Sequence, residues 1–202
     1  MKKRFQLVLP VLAACMFIGA FPTADAADKL ENIPLEWRPT SPMSEREPVD
    51  LKGLEGIKLQ IDPFTDTRED PAFIGRNTSK VPFRKVTTNQ DVARFVTYQV
   101  KLLFSGLGLK VAESGADVIL KGEIRKFFVE EANRYNAEVG LRVTLTDTKG
   151  KILWVVAISG SSSRFGISYK ADNYYEVLSD ALIGAAHELV RSPGLRKALT
   201  QK

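Results

Sequence analysis

The clearest pattern in the chain is an alternation of apolar and polar positions between residues 117 and 163. In DVILKGEIRKFFVEE, Val118, Leu120, Gly122 and Ile124 fall on one face of an extended strand, and Ile119, Lys121, Glu123 and Arg125 fall on the other. In YNAEVGLRVTLTD, Ala137, Val139, Leu141, Val143 and Leu145 form the apolar row. Asp147 to Gly150, DTKG, supplies a hairpin turn into KILWVVAISGSSS, with glycine available for a positive φ. The spacing predicts three antiparallel strands with one buried face. Polar residues on the back face imply solvent or a partner there, with Arg125, Phe127 and Arg142 among the residues offered.

Period 3.6 replaces period 2 on either side. Thr88 and Asp91 form an approximate capping box ahead of Val92, Phe95, Val96, Gln99, Leu102 and Leu103, and Ser105-Gly106-Leu107-Gly108 stops that helix. Leu109-Lys110-Val111 reads as a short strand. Asn173 and Glu176 cap a second helix whose stripe is Tyr174, Val177, Leu178, Ala181, Leu182, Ala185 and Leu189, ended by Pro193-Gly194. Before all of this, Gly56 to Asp62 alternates as a strand with Ile57, Leu59 and Ile61 on one face. It runs into a loop-like region over 63–91, long enough to imply mobility or a binding surface. The elements predict an α/β (α+β) two-layer sandwich, a mainly antiparallel sheet packed on one face by two amphipathic helices, in a single domain over 55–202. Residues 27–54, with prolines at 34, 39, 42 and 48, read as a lead-in or tether.

The N-terminus changes where this domain is placed. Lys2, Lys3 and Arg4 precede an apolar run from Leu7 to Phe21, too short to span a bilayer, which takes about 20 residues. It reads as a secretory signal over 1–26, cut after Ala24-Asp25-Ala26, which uses the whole apolar run. The alternative is a lipoprotein signal over 1–14, since Leu12-Ala13-Ala14-Cys15 suits cleavage before a lipid-bearing Cys15. Twenty-nine basic and 24 acidic side chains fall to 26 and 23 without the signal. That slight, mixed balance gives no basic face of the kind nucleic acid requires.

Chemistry is sparse. Asp62, Asp66, Glu69 and Asp70 cluster in DPFTDTRED but lack the spacing of a calcium loop, and turn or cap roles fit them. His187 is the single histidine and Cys15 the single cysteine, so the common zinc sets cannot be assembled, and no G-x-S-x-G elbow accompanies the histidine. No catalytic residue, cofactor or metal is assigned. Arg76 and Arg84, with Lys80 and Lys85, surround Phe83 in the long loop, and Trp37 stands in LEWRP; these four, Trp37, Arg76, Phe83 and Arg84, are the candidate partner contacts.

Taken together, LAAC, IKLQIDPFTDTRED, VARFVTYQVKLLFSGLGLKV, DVILKGEI, AEVGLRVTLTDTKGKILW and NYYEVLSDALIGAAHELV, over about residues 56–200, resemble the YajG-like family of bacterial envelope lipoproteins. The resemblance implies a small α/β envelope domain without an established enzymatic site, and it implies lipidation at Cys15. The function expected is that of a non-catalytic accessory protein working through protein contacts in the periplasm, or lipid-anchored at the outer membrane facing the periplasm; a glycan- or lipid-binding module is the alternative, and a hydrolase ranks third. Intact-mass measurement of the mature chain separates the two cuts: ordinary processing gives a start at Ala27, and lipidation gives an acylated Cys15.

Overall fold

The computed structural model describes residues 29–41 and 48–200, so Cys15 and both cleavage sites lie outside the described residues. The elements are β1 (Lys58–Ile61), β2 (Thr65–Asp66), β3 (Phe73–Asn77), β4 (Arg84–Thr87), α1 (Val92–Gly106), β5 (Lys110–Val111), β6 (Val118–Glu131), β7 (Arg134–Asp147), β8 (Ile152–Phe165), α2 (Ala171–Arg191) and α3 (Pro193–Thr200). They form the two-layer α+β arrangement that the pattern predicts. The region over 63–91, expected to be loop-like, instead contains β2, β3 and β4.

β6 is the spine of the sheet. Along one edge it pairs antiparallel with β7 from Val118↔Asp147 to Glu131↔Tyr135. Along the other it takes three short parallel partners in turn: β1 at Val118 to Leu120, β2 at Glu123 and Ile124, and β3 at Val129 to Glu131. The chain from 58 to 77 is thus one interrupted strand, broken at Pro63 and Pro71, where a ladder donor is missing. β8 continues the sheet beyond β7, antiparallel, and Gly150 closes that hairpin at φ +85°. Turn bonds hold it: Asp147 Oδ1 accepts the N–H groups of Lys149 and Lys151, each at 2.9 Å.

A bulge between Ile124 and Lys126 shifts the parity of β6. Before it, Val118, Leu120 and Ile124 face the core; after it, Phe127, Val129 and Glu131 do. Phe127, expected on the open face, is therefore only 1% exposed, while Arg125 and Arg142 remain outside. The two helices also start differently from their sequence signals. Asp91, not Thr88, caps α1 by accepting the Arg94 N–H at 2.9 Å; Thr88 is buried, with its N–H on the Ala72 carbonyl. α2 begins at Ala171 without a side-chain cap, and Asn173 donates to Ser168 Oγ instead.

The core lies between the sheet and the helices. Val92, Val96, Val100, Leu103 and Phe104 of α1 and Val177, Leu178, Ala181, Leu182 and Ala185 of α2 join Leu120, Ile124, Leu141 and Leu145. Removing one such Leu side chain costs about 2–5 kcal/mol. Thr97 ties α1 to the turn after β1, its Oγ1 accepting the Phe64 N–H at 2.8 Å and donating to the Ala93 carbonyl at 2.7 Å. That orientation leaves Phe95 half-buried against the core and Leu102 50% exposed, so Leu102 of the six stripe residues departs from the core.

α2 crosses β8 at Gly160, where a Cβ would run into the helix backbone at Ala181, Gly184 and Ala185. Backbone cannot yield as a flexible side chain can. Gly160→Ala should therefore destabilise the fold by about 1–3 kcal/mol, read in thermal melts as a loss of about 2–10 °C. Gly56→Ala, with nothing within 4 Å of the added methyl, should leave the melt near its starting point.

Candidate functional site

β3 and β4 form a hairpin that gathers three of the four candidate contact residues. Arg76 reaches Glu130 at 2.9 Å on the open sheet face, and its guanidinium stands 5.9 Å from the Phe83 ring centre. Arg84 stacks at 3.7 Å over the ring of Tyr169. Val81 and Phe83 at the tip are 99% and 44% exposed. Trp37 does not join them. It is half-buried against the core in a segment docked along α2, where Arg38 N–H donates to Ser179 Oγ, Arg38 pairs with Asp172 at 2.9 Å, and Thr40 N–H donates to Asp180.

The acidic stretch over 62–70 is held by an arginine. Arg68, 8% exposed in its side chain, pairs with Asp66 at 2.6 Å and donates to the carbonyls of Phe73, Phe127 and Pro71. A guanidinium that satisfies several carbonyls at once fixes a loop. Asp62 accepts from Gln60, and Asp70 accepts the Ala72 N–H. Among the described residues, no three His, Cys, Asp or Glu side chains come together as a metal site.

Beneath the hairpin lies a buried polar hub that the sequence reading missed. Glu131, fully buried, accepts the Tyr169 N–H at 2.9 Å and the Tyr174 hydroxyl at 2.8 Å. Tyr135 meets the Tyr174 ring edge-on at 5.3 Å, and its hydroxyl lies 3.2 Å from Ser168 Oγ. Tyr169 sits at φ +44°, a left-handed conformation that costs roughly 1–2 kcal/mol for a residue with a Cβ. Its hydrogen bonds to Glu131, to the Lys85 carbonyl and from the Leu30 N–H hold it there. The available signal was the second glutamate of FFVEE, which the bulge turns inward.

A wide concavity runs along α1. It is an open groove of about 860 Å³ lined by Pro63, Phe64, Phe95 and Tyr98, with Arg94 and Lys101 beside them. Tyr98 is 59% exposed, and Leu102 continues the same helix face one turn on. Two charged groups of this groove have local partners: Asp91 caps the helix and Lys101 pairs with Glu113 at 2.9 Å. The open sheet face is different in character, laced by Lys126–Glu138 and by Arg142–Glu123. Pairs this exposed contribute at most about 1 kcal/mol each. Chemically, the α1 groove can bury an apolar segment, and the sheet face offers mixed charge and hydroxyls.

No family model and no curated protein matches the chain. Among solved structures it is similar to protein XCC0632 from Xanthomonas campestris, of family DUF330, at TM-score 0.50 and 16% identity, over 66% of this chain and 81% of that one. Weaker likenesses are the PelC dodecamer from Paraburkholderia phytofirmans, at TM-score 0.41, 15% identity and 68% and 88% of the two chains, and a minor lipoprotein from Acinetobacter baumannii, at 0.44, 8%, and 69% and 94%. Protein XCC0632 shares the fold. At such identities no residue role passes between the chains. Among the described residues, no helix is long and apolar enough to cross a membrane.

Tyr174 offers the sharpest test of the hub. Burial first, then the hydrogen bond to Glu131, pushes its phenol far above the ordinary value of 10.0. Tyr174→Phe leaves a buried carboxyl oxygen without its donor and should cost about 1–3 kcal/mol in denaturant unfolding. The sign with pH follows from the raised value. Below 10.0 the gap between wild type and variant should be constant; above it the unfolded phenol ionises while the folded one holds its proton, so wild type loses stability and the gap narrows.

Proposed function

We propose that this chain is a non-catalytic accessory protein of the bacterial envelope, of the YajG-like kind, acting through protein contacts in the periplasm or from a lipid anchor at Cys15. One observation carries the reading: the groove along α1, where Tyr98 and, one turn on, Leu102 stand out beside half-buried Phe95 on a helix whose other face is packed in the core. Exposed aromatic and aliphatic side chains beside a concavity mark the centre of a protein contact more than a reaction site. Asp91 already serves the helix cap, and Arg94 and Lys101 stand beside Pro63, Phe64, Phe95 and Tyr98, so that the lining is apolar with cations at its side. The hairpin tip, with Phe83 held beside Arg76 and with Arg84 packed under it on Tyr169, is the second contact of the same surface class; Trp37 is proposed as a contact of the lead-in.

Arg94 and Lys101 favour a second reading, in which the groove receives the apolar part of an anionic envelope lipid and the two cations meet its headgroup. A photo-crosslinking amino acid at Tyr98 in intact cells separates the two. Discrete protein adducts at Tyr98, absent at the exposed hairpin position Lys149, are the expected result. Lipid adducts alone would select the second reading, and equal labelling at both positions would overturn the groove as a contact. The same label at Phe83 reports whether the hairpin shares the partner.

A further inference from the structure

β8 is the longest unprotected feature of the molecule. Among the described residues it pairs only with β7, so fourteen residues present alternate N–H and C=O groups along a free edge. Folded proteins blunt such edges with charge, proline, a short strand or a covering segment. The other edges follow that rule: β5 has two residues, and β4 carries Arg84 and Lys85 and is bridged by Leu30. β8 does not. Between Ile152 and Phe165 its sequence ILWVVAISGSSSRF has one charge, Arg164, and no proline.

The side chains along this edge have a definite order. The register with β7 places Val155, Ala157, Ser159, Ser161, Ser163 and Phe165 on the open face of the sheet, and the irregularity at Thr146 brings Ile152 onto the same face. Ile152, Val155 and Phe165 are 62%, 40% and 75% exposed, and Ile167 just beyond the strand is 68% exposed. The row is thus apolar at both ends and small in the middle. These residues are distinct from the groove on α1, and their use leaves that groove free.

We propose that this edge is covered by the same edge of a second copy, antiparallel, about a two-fold axis at Ser159. Such an axis keeps the open-face row of both strands on one face of a continuous sheet, because Ser159 meets Ser159, Ala157 meets Ser161 and Val155 meets Ser163. Ile152 of each copy then lies between Phe165 and Ile167 of the other, so all the exposed apolar groups at the strand ends are buried together. Electrostatics select the same direction. Parallel pairing in register would set Arg164 against Arg164, whereas the antiparallel arrangement separates them by ten residues of strand, about 34 Å. Each Arg164 also keeps its own neutralising partner, Glu176 of α2. Since a two-fold contact uses one patch on both copies, it closes at two chains and adds no new free edge at β8.

Sedimentation of the processed chain purified from the envelope tests the proposal. Wild type should sediment as a dimer. Ser159→Lys sets two cations against each other on the axis and should weaken association at least tenfold, with unchanged circular dichroism. Ser159→Cys should give a disulfide-linked dimer under mild oxidation, since Cys15 is either removed with the signal or acylated and the introduced thiol is the sole free one; Ser114→Cys, exposed in a turn away from β8, should not. A monomeric wild type, or a dimer indifferent to Ser159→Lys and uncrosslinked by Ser159→Cys, overturns the assignment.

Discussion

Everything in this molecule is registered against β6. A strand bonded along both edges cannot slip by one residue without turning each of its core side chains to the wrong face and breaking two ladders at once. The single bulge at Arg125 is the one place where that constraint is relaxed, and it has far-reaching effects. It brings Phe127 into contact range of Phe95, with ring centres 6.3 Å apart, and it sends Glu131 inward to Tyr169 and Tyr174. Phe95 of α1, and Tyr169 and Tyr174 at the start of α2, meet side chains whose direction the bulge decides.

The same geometry explains why the apolar groups left outside are where they are. Thr97 spends its hydroxyl on the turn after β1, which sets the rotation of α1 and leaves Tyr98 and Leu102 with no partner layer. Gly160 lets α2 sit directly on the core face of β8, and β8 pairs with β7 alone among the described residues. The groove and the edge are thus not loosely packed regions. They are the faces left over when a two-layer fold has filled its core.

The three long strands, the two main helices and the two-layer class were legible because each rests on a periodicity that persists over ten residues or more. The misreadings have local causes. β2, β3 and β4 are two to five residues long, and their pairing is with β6 and with each other, so nothing in the window around Thr65 or Phe73 reports it. Simple alternation puts Phe127 on the open face because it cannot register an inserted residue. Thr88 and Asn173 carried capping chemistry that the backbone did not use at those positions. As for the candidate contacts, Arg76, Phe83 and Arg84 are near neighbours in sequence and meet on one hairpin, whereas the closeness of Tyr169 and Arg84 spans eighty-odd residues and shows only in the fold.

The lead-in segment has a mechanical consequence. Between Leu30 and Thr40 it is fastened in sequence: Leu30 and Ile33 to Thr87, Leu35 to Gln90, Arg38 to Ser179, and Thr40 to Asp180. A tension applied from the N-terminal side would load these fastenings one after another, beginning at β4, before any of it reached the spine of the sheet. The segment works as strain relief, so that a pull can peel back an edge while β6 and its ladders stay intact.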